Sequence, residues 1–284
     1  MAAARWRGRL IKEMTMYSTE HEQRFDNGAP EAPEQLGLLS EILNRETFRT
    51  LGEEVRVGHG WRCWEVGAGD GSVARWLAAR VGTSGHVVAS DLKPQHVPDH
   101  PRIEAIRHDL TEDPWPETEF DLIHARLVLM HVADKDAVAA RLAARLRPGG
   151  ALVLTDWYCG CAEEGIIKSP VDAYTERIFQ EYHDGVHKLA GETGMDFGWA
   201  VRTPDVLAAA GYRDFVVRDF RAQGEGGTPT ARLARLHSRM LEPFLLSRTG
   251  LTEADLSVIR EKLLDPEFEM VTNHTYTTVV RVPK

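Results

Sequence analysis

The stretch from Cys63 to Ser72, CWEVGAGDGS, constrains this chain more than any other. A short apolar strand runs into three glycines within five positions, and an amphipathic helix follows from Gly71 to about Val81. Glycine adopts φ > 0 without steric cost and carries no Cβ, so a ligand can come close to its backbone. A turn of this kind between strand and helix aims backbone N–H groups at whatever lies above the sheet. The chain is therefore expected to build on strand–turn–helix units, with a ligand at the first turn.

Further strand and helix signals extend that unit. Trp61–Val66, His86–Ser90, Arg102–Arg107, Phe120–Ala125 and Ala151–Thr155 read as five strands. The helix after the first strand sets Val73, Trp76, Leu77 and Val81 on one face. A second helix over Asp134–Leu146 turns Val138, Leu142 and Leu146 inward, and Arg147-Pro148-Gly149-Gly150 stops it. Strands that are apolar throughout and separated by helices call for a parallel sheet covered on both faces. Phe215–Phe220 and Tyr276–Val282 read as two closing strands. The expected class is α/β, a doubly wound, mostly parallel seven-stranded sheet with helical lid additions.

The additions fall at the start of the chain and after the fifth strand. Residues 1–56 are expected to be a helical cap segment, interrupted at Asn27-Gly28 and at Pro30 and Pro33. Leu36, Leu39, Ile42 and Leu43 form its apolar stripe. Residues 57–284 are expected to be the main domain, with lid insertions at about 159–200 and 224–266. The first insertion holds a helix over Pro170–Leu189. Thr203-Pro204 then reads as the cap and first turn of a short helix ending at Gly211. Gly224–Gly227 reads as a flexible break before one helix over Thr230–Leu246, and Thr252 with Asp255 reads as a capping box.

A formal charge of −9 argues against a general nucleic-acid or anionic-membrane surface. No apolar run reaches the roughly 18 residues a membrane span needs. The Arg-rich N-terminus lacks the apolar centre of a secretory signal, which points to the cytoplasm. Three cysteines, Cys63, Cys159 and Cys161, make no disulfide framework, and the last two stand too close for zinc or redox spacing. The partner is expected to be a small molecule, with no nucleic acid and no membrane.

In a doubly wound sheet, ligands bind beyond the carboxyl ends of the strands. That rule gathers Gly67–Gly71, Asp91, Asp109, His124–Arg126 and Asp156–Tyr158 around one crevice. The dinucleotide fingerprint wants glycine or alanine where Ser72 stands. Glu65, just before the turn, disfavours a pyrophosphate and suits a cationic ligand. Asp91 ends the second strand, placed to accept hydrogen bonds from ribose hydroxyls, and Asp109 ends the third, where an adenine amino group is within reach. Together these residues specify a nucleoside with a cationic appendage and no phosphate.

Glu65–Gly71, Asp91, His108-Asp109-Leu110, Phe120–Ala125 and Leu146–Gly150 resemble, in order and spacing, the motifs of class I S-adenosylmethionine-dependent methyltransferases. Ala125–His131 is similar to the small-molecule enzymes of bacterial natural-product pathways. The resemblance implies a Rossmann-like fold and S-adenosyl-L-methionine as cofactor. It also implies cofactor contacts from Glu65, Gly67, Ala68, Gly69 and Gly71. Asp91 would hold the ribose, Leu92 would pack on the adenine, and His108, Asp109 and Leu110 would read its edge. Ala125 and Arg126 would lie near the methionine end, with Arg24 reaching its carboxylate from the cap.

Methyl transfer mainly requires alignment of nucleophile and methyl group, and a base only where the nucleophile must lose a proton. His131, His183 and Tyr158 are the candidates for the catalytic side, with His124, Asp156 and His187 also near the crevice. His183 and His187 stand i, i+4 but have no third ligand nearby in sequence, so no metal site is expected. The leading expectation is transfer to an oxygen of a natural-product-like acceptor. Transfer to nitrogen or carbon stays open, as does a non-catalytic S-adenosylmethionine-binding role. A nicotinamide-dependent oxidoreductase is the contrasting class, opposed by Ser72 and Glu65. A homodimer through the outer faces of the added helices also stays open.

Overall fold

Seven strands form one sheet in the order β3-β2-β1-β4-β5-β7-β6. They are β1 (Arg62–Val66), β2 (His86–Asp91), β3 (Ile103–Arg107), β4 (Phe120–Arg126), β5 (Leu146–Tyr158), β6 (Asp214–Arg221) and β7 (His274–Arg281). Neighbours among β1–β5 pair in parallel, while β7 runs antiparallel between β5 and β6. The computed structural model describes residues 28–159 and 165–283. The strand order reverses at β1, between β2 and β4, which opens a crevice at the carboxyl ends of these strands.

The strands read as continuous apolar runs because both sheet faces are buried. Cys63, Val87, Ala89, Leu122 and Val153 point to one face, where α2 (Ser72–Val81) brings Val73, Ala74 and Leu77. Trp64, Val66, Ile123, Ala125 and Leu154 point to the other, against Val138 and Leu142 of α3 (Lys135–Ala143) and Trp199 and Leu207 of α5 (Trp199–Ala209). Each such aliphatic side chain contributes about 1.5–3 kcal/mol when fully buried.

α1 (Ala32–Arg49) does more than its apolar stripe foretells, because it is buried on two sides. Leu38 packs on Leu233 and Leu236 of α6 (Pro229–Met240), with Leu39 and Ile42 beside them. Leu36, Ser40, Leu43 and Thr47 are buried as well, a set spaced three and four residues apart. The helix runs on into a π-helical turn, Thr50–Val55, closed by Arg56 at φ 60°. Arg281 donates to the carbonyls of Glu54 and Val55, which satisfies that helix end.

A third apolar cluster forms among the added helices: Ile178 and Phe179 of α4 (Ala173–Glu192), Phe244 and Leu245 of α7 (Glu242–Arg248), and Ile259 of α8 (Glu253–Lys262). The capping box of Thr252 and Asp255 opens α8 as its sequence indicates. No helix among the described residues is long and apolar enough to cross a membrane.

Four local expectations are corrected. Arg147–Gly150 does not lie between helix and strand but belongs to β5, where the register with β4 jumps from Phe120↔Leu146 to Leu122↔Ala151. Pro148 is tolerated in that bulge. Thr203 does not cap a helix: α5 starts at Trp199, Pro204 lies inside it, and the Thr203 hydroxyl donates to the Trp199 carbonyl at 3.2 Å. The stretch Thr230–Leu246 holds two helices, since Pro243 cannot continue α6 without clashing with a carbonyl one turn back. Gly224–Gly227 is tied down: Gly224 O accepts from Met270 N, Gly226 N donates to Phe268 O, and Gly227 N donates to Leu263 O. A Cβ on Gly224 or Gly226 would run into the backbone of Met270 or Asp265, so close approach explains these glycines.

Candidate active site

Gly67, Gly69 and Gly71 take φ values of 67°, 54° and 69°. The N–H groups of Gly67 and Ala68 donate to Ser90 O at 2.8 and 3.0 Å, which ties the turn to the end of β2. Asp91 secures it further: Oδ2 accepts from Gly69 N and Oδ1 from Lys93 N, both at 2.9 Å. Each carboxylate oxygen has two lone pairs and can accept more than one hydrogen bond. Leu92 beside it is 55% exposed, an apolar surface that a flat base would cover. A Cβ on Gly67 would collide with Val128, and one on Gly69 would come within 3.2 Å of Leu36 Cδ2. The turn is thus overlaid by the segment after β4 and by α1.

At the end of β3, His108 N donates to Asp91 O at 2.9 Å. Its ring is buried edge-on to Trp64, and neither ring nitrogen finds a hydrogen-bond partner. Leaving a buried polar group unsatisfied costs about 1–3 kcal/mol. Asp109 Oδ1 accepts from the side chain and backbone of Thr111, which hold its carboxyl below the usual range. Leu110 is buried behind them. At the end of β4, Ala125 is buried and Leu127 is held at φ 55°, a sparsely populated conformation for a non-glycine residue. Leu127 N donates to Thr155 O at 2.7 Å, anchoring that bend.

Under the turn runs a buried polar row. Glu65 and His124 face each other across β1 and β4, with Oε2 and Nδ1 2.7 Å apart. Glu65 is 2% exposed, so its charge is engaged by His124 and Arg126 inside the protein rather than presented to the crevice. Arg126 Nη1 donates to Asn44 Oδ1 and Thr47 Oγ1 of α1, both at 3.0 Å. Burial disfavours the Arg126 charge, and nearby Glu65 and Asp70 favour it. The Ser40 hydroxyl donates to Asp70 at 2.8 Å and lies 3.0 Å from Ser72 Oγ. Ser40, Asn44 and Thr47 stand i, i+4 and i+7, a polar stripe on α1 that sequence reasoning passed over in favour of the apolar one.

Tyr158 ends β5, in register with His274, and packs edge-on to Tyr276 at 6.0 Å. The His183 and His187 rings on α4 are 4.0 Å apart, and His187 stacks on Phe197 at 5.1 Å. Cys159 N donates to Phe197 O, which brings the α4 histidines to the same end of β5 as Tyr158. His131 closes a short 3₁₀ turn (Leu129–His131) that follows β4. Asp156 is buried and accepts from Trp199 Nε1 at 3.0 Å. Burial pushes its carboxyl up to about 7, restrained by the Met130 and Val128 amides and by Trp199. The pair Asp219–His274 was also missed, because β6 and β7 read only as closing strands. Arg24 and Cys161 lie outside the described residues.

A doubly wound sheet with a glycine turn after β1 and a buried acid at the end of β2 defines a nucleoside-binding protein of the Rossmann type. A family model described as a methyltransferase domain matches residues 37–187, and the chain belongs to the class I S-adenosylmethionine-dependent methyltransferases. It is 35% identical over 137 residues to methyltransferase str2 of Strobilurus tenacellus, covering 46% of this chain and 49% of that one. It is 29% identical over 191 residues to nocamycin O-methyltransferase of Saccharothrix syringae, covering 59% and 64%. The chain thus spans about half of the first relative's length and under two thirds of the second's. A solved structure of a Bacillus halodurans protein assigned as a methyltransferase superposes with a TM-score of 0.53 at 16% identity, covering 84% of this chain and all of that one. That likeness bears on the fold alone.

S-adenosylmethionine is the cofactor of this family, and the crevice suits it. The positive-φ glycines bare the backbone, Asp91 offers buried acceptors for a diol, Leu92 offers apolar cover, and the His108 nitrogens lack partners beside Asp109.

Proposed function

We propose that this protein transfers the methyl group of S-adenosylmethionine to a hydroxyl oxygen of a small, natural-product-like molecule. The observation that carries the reading is the junction of two surfaces at the strand ends. The Gly67–Asp91 cradle lies at the ends of β1 and β2; at the end of β5 the Tyr158–Tyr276 pair and the His183–His187–Phe197 group are joined through the Cys159 N–H to Phe197 O bond. The similarity to nocamycin O-methyltransferase supports oxygen as the acceptor atom.

In this reading Asp91 holds the ribose hydroxyls and Leu92 covers the adenine. His108, Asp109 and Leu110 meet the adenine edge. The turn Gly67-Ala68-Gly69, with Gly71 behind it, passes beneath the methionine portion, which Ala125 and Arg126 flank. Glu65 acts from within by holding His124 and balancing Arg126. Tyr158 and His183 border the acceptor, and His131 borders it on the β4 side. Residues 28–56, the described part of the 1–56 segment, belong to the cap, and α4 with α6–α8 forms the lid. When bound, the cofactor supplies a methyl group already activated on a sulfonium. The chain's own task is to orient the acceptor and exclude water, and such alignment is worth up to about 7–11 kcal/mol.

Calorimetry with S-adenosylhomocysteine and with NADH tests the donor side, and binding of NADH alone would refute the reading. Methyl-labelled S-adenosylmethionine incubated with phenols, alcohols and amines tests the acceptor side. Label is expected on hydroxyl oxygen, and label on amines only would exclude oxygen transfer.

A further inference from the structure

We propose that His274, oriented by Asp219, is the base that takes the proton from the acceptor's hydroxyl; this rests on the oxygen-transfer reading above. Several histidines of the described residues lie near a carboxylate, and position separates them. The His124–Glu65 pair is sealed within the sheet, at 0% and 3% side-chain exposure. His86 and Glu104 meet at the amino ends of β2 and β3, away from the crevice. His183 and Asp184 are sequence neighbours on α4, 3.8 Å apart. His274 opens β7, and because β7 is antiparallel this places it beside Tyr158, the last residue of β5, and Arg221, the last of β6. That is the crevice end of the sheet.

Asp219 pairs in register with Tyr276 and therefore shares the face of His274, two residues away. Its Oδ2 lies 3.4 Å from His274 Nδ1, a buried nitrogen that makes no hydrogen bond, so the contact is electrostatic; the His274 side chain keeps 22% of its surface exposed and that of Asp219 57%. A carboxylate beside Nδ1 favours the tautomer with the proton there and leaves the lone pair on Nε2. The separation is longer than a tight hydrogen bond, as is common for such pairs before substrate binds. The ring lies against Tyr276 at 5.6 Å, and Tyr276 meets Tyr158 edge-on. Among the described residues, Asp219 and Arg221 from β6, Asp156 and Tyr158 from β5 and Tyr276 from β7 are titratable neighbours on its face of the sheet. The imidazole is thus fixed in the aromatic wall proposed for the acceptor.

The step balances. The hydroxyl proton passes to Nε2, the oxygen's electron pair becomes the new O–C bond, and the C–S pair returns to sulfur as a neutral thioether. Asp219 offsets the charge of the imidazolium.

Side-chain ¹⁵N spectra of histidine-labelled protein give the tautomer, with the His274 signal assigned by its loss in His274→Gln. A neutral ring protonated at Nδ1 is expected, moving towards Nε2 protonation in Asp219→Ala; a wild-type ring protonated at Nε2 overturns the proposal. With S-adenosylmethionine and catechol, resorcinol or 4-hydroxybenzoate as probe acceptors, His274→Ala should lose about 10²–10⁴-fold in transfer rate. Its calorimetric affinity for S-adenosylhomocysteine should stay unchanged, and added imidazole should restore part of the rate. An unchanged rate overturns the role of His274 alone. Loss of S-adenosylhomocysteine affinity in the same variant overturns an acceptor-side role. Wild-type protein that methylates none of these hydroxyls counts against the oxygen-transfer reading itself.

Discussion

His124 Nδ1 and Glu65 Oε2 lie 2.7 Å apart with both side chains shut away from solvent. A buried pair of this kind adds little against an apolar replacement, yet removing one partner costs about 3–5 kcal/mol because the other is stranded. Glu65→Ala strands His124 and also withdraws the negative charge beside Arg126. The urea midpoint should fall accordingly. A variant with wild-type stability and only weaker S-adenosylhomocysteine binding would show instead that Glu65 acts directly on the cofactor.

Arg126 joins α1 to the sheet through Asn44 and Thr47. A hydrogen bond to a charged group contributes about 1.5–3 kcal/mol. Asn44→Ala and Thr47→Ala should each destabilise the protein, and the double variant should lose at least the sum because Nη1 gives one hydrogen to each acceptor and would keep neither partner on α1. Hydrogen exchange is expected to rise in α1 first. Uniform exchange across β1 and α1 in the double variant would rule out this local docking.

Asp91 serves the turn and, in the proposed function, the ribose. Asp91→Ala removes the acceptor of the Gly69 N–H and should weaken S-adenosylhomocysteine binding by about 10–100-fold, the scale of a lost charge-assisted bond. Asp91→Asn keeps an acceptor for Gly69 and should lose less. Full affinity in the alanine variant would undo the ribose assignment.

Much of the fold is legible because the constraints are local. Cys63–Val66, His86–Asp91 and Phe120–Arg126 are each apolar enough to demand cover on both faces, and Gly67–Gly71 can only be a turn. The proposed donor half of the site is legible for the same reason, since its residues end consecutive strands. The acceptor half is not. Asp219 and His274 are 55 residues apart and meet only because β7 folds back antiparallel between β5 and β6. Ser40, Asn44 and Thr47 sit at helical spacing in plain view, yet nothing local says that Asp70, Ser72 and Arg126 await them. The fully buried Trp199, which draws α5 back one turn before Thr203-Pro204, is likewise a tertiary effect overriding a sound local cap signal.

Gly67 tests how closely the post-β4 segment rests on the turn. Gly67→Ala places a Cβ against Val128 at φ 67°, so both collision and backbone strain oppose it. A loss of about 1–3 kcal/mol is expected from the strained backbone alone. Val128→Ala should rescue the collision but not the strain, leaving the double variant between Gly67→Ala and wild type in thermal melts. Equal melting of the single and double variants would show that Val128 does not press on the turn.

Asp156 gives the fold a pH dependence of defined sign. An unperturbed aspartate titrates near 3.9, and burial raises this one to about 7. Between about pH 4 and 7 the folded protein therefore holds a proton that the unfolded chain has released. The contribution is fully present below about pH 4 and is lost as pH rises through 7, a change on the order of 2–4 kcal/mol. Asp156→Asn keeps an acceptor for Trp199 Nε1 and carries no titrating proton. Its stability relative to wild type should improve from pH 5 to about pH 7 and level off above that in urea unfolding. A difference that stays constant across that range would mean that Asp156 is ionised in the fold throughout, with its charge met by Lys135 and the Met130 and Val128 amides rather than shed.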